Sequence, residues 1–163
     1  MKLFLTAVFS LLSFTLASAQ ATANFTASAT IIQPISISTI SNLNFANIDA
    51  KEGGEIILTP QGERLVVGDV KPSDGSMATA ASFEVIGQQG YTFSISLPGD
   101  RAQLVNGEEN MTIRNFTSST GSFGKLDTGK TSIKVGATLE INPQQAPGFY
   151  STPTPLSITV NYN

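Results

Sequence analysis

Strict alternation of apolar and polar residues over positions 91–97 is the feature that most constrains how this chain folds. Every second residue of the run is apolar, threonine or serine stands between them, and Pro98-Gly99-Asp100 follows. Successive side chains of a strand point to opposite faces, so this period of two predicts a strand with one buried face. The proline-glycine-aspartate sequence favours a turn after it.

The same period of two recurs along the chain. Residues 81–85 alternate up to Gly87-Gln88-Gln89-Gly90, so we predict that this run and residues 91–97 form a hairpin. Further strand-like runs are found at residues 35–37, 43–45, 56–58, 65–70, 111–113, 133–139 and 156–162. Turn sequences separate these runs at intervals typical of a sandwich. The sequence therefore predicts a single all-β domain built as an antiparallel β-sandwich.

The first 19 residues have the three parts of a secretory signal peptide. Lys2 supplies the positive charge, residues 3–16 form an apolar run, and Ala17-Ser18-Ala19 is a small-residue cleavage site. The run is short for a membrane span, which needs roughly 20 residues. We expect a signal peptide at 1–19, cleavage after Ala19 and a β-sandwich domain at 20–163. We also expect an exported protein at the cell surface, outside the cell or in the periplasm, with no lipid anchor, because no cysteine follows the apolar run.

The absence of two residue types excludes much of enzyme chemistry. The chain contains no histidine and no cysteine, so thiolate nucleophiles, disulfides and Ser-His relays cannot be built. Nothing selects a catalytic pair among the 12 acidic residues. We therefore expect no enzyme, no cofactor and no metal site. A net charge of -3 gives no footprint for a polyanion, so nucleic acid is not an expected partner.

Both ends of the exported chain alternate like strands. The apolar positions at the N-terminal end are Phe25, Ala27, Ala29 and Ile31, and those at the C-terminal end are Leu156, Ile158, Val160 and Tyr162. Two interpretations are open. The runs are either the first and last strands of one self-contained domain, or the N-terminal run is a donor strand for a neighbouring subunit and the C-terminal run is the strand that pairs there.

Several short stretches resemble the DUF4402 domain, a family of exported bacterial proteins. They are Ala29-Thr30-Ile31-Ile32-Gln33-Pro34-Ile35-Ser36-Ile37, Leu43-Asn44-Phe45-Ala46-Asn47-Ile48, Val135-Gly136-Ala137-Thr138-Leu139, Gly148-Phe149-Tyr150-Ser151 and Val160-Asn161-Tyr162. More distantly, the two alternating ends are similar to pilin subunits of chaperone-usher fibres. That likeness implies an immunoglobulin-like sandwich whose N-terminal extension adds a strand to the next subunit. The disulfide common in such subunits cannot form here.

These observations predict an exported bacterial surface protein with a structural or adhesive role. It would be a fimbrial or pilin-like subunit or adhesion module that assembles with copies of itself or with related subunits by strand addition. The alternative is a monomeric secreted or periplasmic binding module whose loops at 117–124 or 104–110 contact a ligand of unspecified identity. The two hypotheses predict different assembly states: a fimbrial subunit should associate with other copies, whereas a binding module should remain monomeric.

Overall fold

A computed structural model describes residues 20–73 and 75–163. The predicted signal peptide and its cleavage site lie outside the described residues. By its internal contacts the chain divides into residues 1–31 and residues 32–163. Within the described part, no helix is long and apolar enough to cross a membrane.

Residues 32–163 fold into strands, which confirms the all-β prediction. The strands are β1 (Ser36–Ser41), β2 (Ile48–Asp49), β3 (Gly54–Leu58), β4 (Arg64–Gly68), β5 (Lys71–Pro72), β6 (Ala81–Ile86), β7 (Thr92–Ser96), β8 (Arg101–Asn106), β9 (Glu109–Ser118), β10 (Phe123–Lys125), β11 (Lys130–Ile141) and β12 (Thr159–Tyr162). Every pairing between them is antiparallel. One sheet has seven strands, one has the order β10-β7-β12, and β2 pairs with β5.

The 12-residue strand β11 organises the large sheet because three strands pair with it. Along one edge it pairs first with β6, over 130–135, and then with β3, over 137–141. Strand β9 occupies the opposite edge, with a register shift between Gly136 and Thr138. Strand β1 extends the sheet beyond β6, β4 extends it beyond β3, and β8 extends it beyond β9. Through this arrangement the sheet curls into a half-barrel.

The alternation of β11 builds the core. Its residues Ile133, Val135, Ala137, Leu139 and Ile141 are all buried. The last three belong to a cluster with side chains of β3 and β9, and the first two to a cluster with side chains of β6, β7 and β12. The side chain of Phe93 on β7 is fully buried in the second cluster. The short sheet therefore packs its apolar face against one end of the large one.

Three details of the predicted strands are wrong. Strands β6 and β7 form no hairpin, because β6 pairs with β1 and β11 whereas β7 pairs with β10 and β12. The glycines between them bond elsewhere: Gly87 N donates to Gly129 O at 2.9 Å and Gly90 N donates to Leu126 O at 2.7 Å. Residues 43–45 form only an isolated bridge between Asn44 and Thr79. The last strand begins at Thr159, later than predicted.

Candidate functional site

The N-terminal alternating segment is exposed. Phe25 is 92% exposed and Ile31 is 97% exposed, and Ala27 and Ala29 between them are exposed as well. Residues 20–31 form no strand, and the first strand among the described residues is β1. The segment alternates like a strand but pairs with no strand among the described residues.

The C-terminal strand β12 lies at the edge of the short sheet. Val160 is buried opposite Ile95 of β7, whereas Leu156 is 38% exposed and, like Ile158, precedes the strand. Asn163 N donates to Thr92 O at 3.3 Å, which fixes the phase of the ladder between β12 and β7. Because hydrogen-bonded pairs alternate along an antiparallel ladder, the backbone groups of Val160 and Tyr162 point away from β7. This edge of β12 has no paired strand among the described residues.

Strand β1 is the corresponding edge of the large sheet. Among the described strands it pairs with β6 alone. The bond from Gly87 N to Gly129 O shows which residues of β6 direct their backbone groups to β11. The alternate residues of β6 direct theirs to β1. In the register between β1 and β6, the backbone groups of Ile37 therefore point away from β6. Some Cα atoms of β1 and β12 lie within 8 Å of each other. We call these two facing edges the β1–β12 seam. It includes four half-buried side chains that pack on the second core cluster, namely Ile35, Ile37, Ile158 and Tyr162.

The hydroxyl of Tyr162 closes one end of the seam. It accepts a hydrogen bond from Gln88 N at 2.6 Å and donates one to Gln33 O at 2.7 Å. Its ring meets the ring of Tyr91 edge to face, with centroids 5.4 Å apart. The neighbouring Gly87 has no room for a side chain, since an added Cβ would lie 3.0 Å from Leu126 Cδ1 and collide with the Tyr162 hydroxyl. Tyr162 thus fixes the point at which the chain enters the domain.

Replacing Tyr162 by phenylalanine is expected to lower the free energy of unfolding by about 1–2 kcal/mol, because two hydrogen bonds are lost and Gln88 N–H is left without its acceptor. The measurement is urea denaturation. The matched control is Tyr91→Phe, since the Tyr91 hydroxyl bonds to no described residue, and its expected effect is below about 0.5 kcal/mol. Equal losses for the two variants would contradict the role given to the hydroxyl.

A charged cluster lies on the outer face of the large sheet. Arg114 of β9 donates through Nε to Glu140 of β11 and through Nη2 to Glu55 of β3 at 2.7 Å. Arg101 Nη1 lies 3.9 Å from Glu140 Oε2. The hydrogen bond to Glu140 raises the pKa of Arg114 above the ordinary arginine value, with the charge of Glu55 adding to it and burial opposing it. Two arginines and two glutamates cancel in charge, so the cluster ties strands together and offers no net charge to a ligand.

No local sequence pattern predicts this charged cluster. Glu55 and Glu140 stand 59 and 26 positions from Arg114 in the chain. Only the register of β3, β11 and β9 brings the three side chains together.

The predicted ligand loop at 117–124 divides into three parts. Thr117 and Ser118 end β9, residues 119–122 form the connection, and β10 begins at Phe123. Beside the connection is an open cavity of about 370 Å³. Its lining combines apolar and small polar residues, namely Ile95, Leu97, Phe116, Thr117, Ser118, Gly121 and Ser122. The other predicted loop, at 104–110, is mostly strand: it contains the end of β8 and the start of β9, and only residues 107–108 form the turn between them.

Comparisons with known proteins give one match. A family described as "Domain of unknown function (DUF4402)" matches residues 35–162, from just before β1 to the end of β12. No curated protein and no solved structure matches the chain. Among the described residues, no group of three or more acidic side chains is placed to hold a metal ion.

Proposed function

Since the chain belongs to the DUF4402 family, whose description assigns no activity, we propose from its geometry that it is an exported structural subunit of the bacterial surface. In this proposal residues 1–19 are removed on export and residues 32–163 form an immunoglobulin-like sandwich. Residues 25–31 are donated as a strand to a neighbouring copy or to a related subunit. The protein is a fimbrial or pilin-like subunit or an adhesion module, and not an enzyme.

One observation carries the proposal: Phe25 and Ile31 are almost fully exposed on an alternating segment that forms no strand. Exposing a large apolar side chain instead of burying it costs about 1.5–3 kcal/mol. A partner that covers such residues would therefore gain free energy by burying them. An alternating segment presents its apolar residues on one face when it pairs as a strand.

The β1–β12 seam supplies the complementary half. Backbone groups of Ile37, Val160 and Tyr162 point out of the two edges. Half-buried isoleucines and the ring of Tyr162 lie beneath them against the second core cluster. A strand added to one of these edges would satisfy its outward backbone groups and cover neighbouring apolar side chains at once.

The experiment compares the chain from Gln20 to Asn163 with two doubly substituted variants by light scattering coupled to size exclusion. Phe25→Asp with Ile31→Asp places two charges on the apolar face of the segment. Thr26→Asp with Thr30→Asp places the same charges on the opposite face and is the matched control. We expect large assemblies for the unmodified chain and the control, and a monomer for Phe25→Asp with Ile31→Asp. A monomeric unmodified chain at all concentrations, or equal loss in both variants, would refute the proposal.

A second function is favoured by the cavity beside residues 119–122. Its lining combines apolar side chains with small polar residues, as in a small-molecule site. The cavity also lies beside the loop at 117–124 for which the sequence analysis predicts ligand binding. In this alternative the protein is a monomeric binding module. This alternative requires the unmodified chain to remain monomeric in the same light-scattering experiment, and large assemblies would contradict it.

A further inference from the structure

Strand β4 is an edge strand that is apolar on both faces. In the part of the chain that the structure describes, it pairs with β3 alone. Leu65 is 52% exposed, Val66 is 41% exposed and Val67 is 52% exposed, three consecutive residues that cover both faces of the strand. An exposed apolar edge is a template for pairing with another strand.

The hydrogen bonds at its two ends fix which backbone groups of β4 are free. Thr59 N donates to Glu63 O at 2.9 Å, and Asp69 N donates to Gly53 O at 3.1 Å. In the register between β3 and β4, Leu65 and Val67 then bond to β3. The N–H and C=O groups of Arg64, Val66 and Gly68 point outward, away from the sheet.

Two of the other sheet edges, β10 and β8, differ from β4. Strand β10 has three residues, one of them Lys125, and β8 carries Arg101 and is bridged at Val105 by Ser151. Short edges and charged residues are the usual protection against unwanted pairing. Strand β4 has no charge between Leu65 and Gly68. Its one charged residue, Arg64, turns its guanidinium to Phe45 O at 3.3 Å.

We infer that β4 is a self-association edge, which pairs antiparallel with β4 of a second copy about a two-fold axis at Val66. The outward groups occur at every second residue and are centred on Val66, so the same edge is complementary to itself. With Val66 opposite its own copy, Arg64 faces Gly68 and Leu65 faces Val67. Gly68, with φ of 90°, ends the strand. The acidic pair that would come next in this register, Glu63 and Asp69, therefore lies outside the five paired residues.

The size of the edge determines how strongly it pairs. A five-residue strand forms a contact well below the roughly 1,200 Å² of a stable interface, so two isolated copies associate weakly. Copies already held in a larger assembly would present many such edges together, and the pairing would then be multiplied. The contact does not depend on donation of residues 25–31, and it gives an assembled surface protein a means of lateral association.

Cysteine cross-linking tests the pairing directly, because the chain has no cysteine of its own. In the proposed register Val66 forms a hydrogen-bonded pair with its copy, with Cα atoms about 5.5 Å apart, which suits a disulfide. Leu65→Cys is the matched control from the same strand, since its copy lies two residues out of register. Met77→Cys, at a site that is 86% exposed, is the control for random collision.

Oxidation with diamide is expected to convert Val66→Cys to a disulfide dimer about tenfold faster than either control, because only its paired thiols meet in disulfide geometry. Equal rates for the three variants would overturn the inference. Repeating the reaction in the Phe25→Asp, Ile31→Asp background separates this inference from the proposed function. If the disulfide dimer still forms, β4 pairing is supported whether or not residues 25–31 are donated. If the dimer is lost, an independent β4 contact is refuted. Should Val66→Cys fail to unfold cooperatively, sedimentation velocity in the Phe25→Asp, Ile31→Asp background decides instead. Weak dimerisation is expected without Val67→Lys and a monomer with it, and the same distribution for both would overturn the inference.

Discussion

Replacing Phe93 by alanine is expected to lower the free energy of unfolding by about 3–5 kcal/mol. The Phe93 ring is fully buried between the two sheets, and its removal leaves a cavity that the surrounding strands cannot fill. A loss of this size is a large part of the 5–15 kcal/mol that stabilises a typical domain. The measurement is urea denaturation followed by circular dichroism.

Phe123→Ala is the matched control, because Phe123 is 63% exposed on the neighbouring strand β10 and its expected effect is below about 0.5 kcal/mol. A sharper control uses Gly124, which pairs with Phe93 and where an added Cβ would collide with the Phe93 ring. Gly124→Ala should therefore destabilise the unmodified chain but be nearly neutral once Phe93 is alanine. Additive losses in the double variant would contradict this account of the contact.

Replacing Gly136 by alanine is expected to lower the free energy of unfolding by about 3 kcal/mol, at the upper end of overpacking losses. An added Cβ would lie 2.7 Å from Thr59 C and 2.8 Å from Pro60 N, and would collide with Leu58 O. These are backbone atoms, so no side-chain rotation relieves the collision. Gly136 stands where β11 changes its partner from β6 to β3, and the strain would open that junction.

Thermal denaturation of Gly136→Ala beside Gly99→Ala measures this loss. Gly99 has open space around the position of an added Cβ and no positive φ, so its substitution should change the midpoint little. Indistinguishable midpoints for the two variants would show that the junction adapts to a side chain.

Local pattern predicted the strands better than it predicted their partners. The alternation at 91–97 correctly predicted that Phe93 and Ile95 are buried in the core, because a strand buried on one face has apolar residues at every second position. The same run was wrongly paired with residues 81–85. Adjacent runs joined by a glycine-rich turn favour a hairpin, but here the turn carries the chain from one sheet to the other, and only contacts distant in sequence determine that.

The candidate sites depend even more on register. The apolar residues of the N-terminal segment could be selected from sequence alone. By contrast, the β1–β12 seam can be identified only when the hydrogen-bonding pattern of two strand ladders is known. The free edge of β4 can be identified only when the strand order of the sheet is known. Residues 65–70 read only as another strand-like run, because a strand in the interior of a sheet is also apolar on both faces.

The position of β11 sets the order in which this protein can fold. Strands β3, β6 and β9 all precede it in the chain, and none of them has its full set of neighbours in the large sheet until residues 130–141 have been synthesised. Most of these contacts join residues far apart in sequence, which slows folding. The large sheet therefore cannot be completed before β11 is available, and the core closes around this strand.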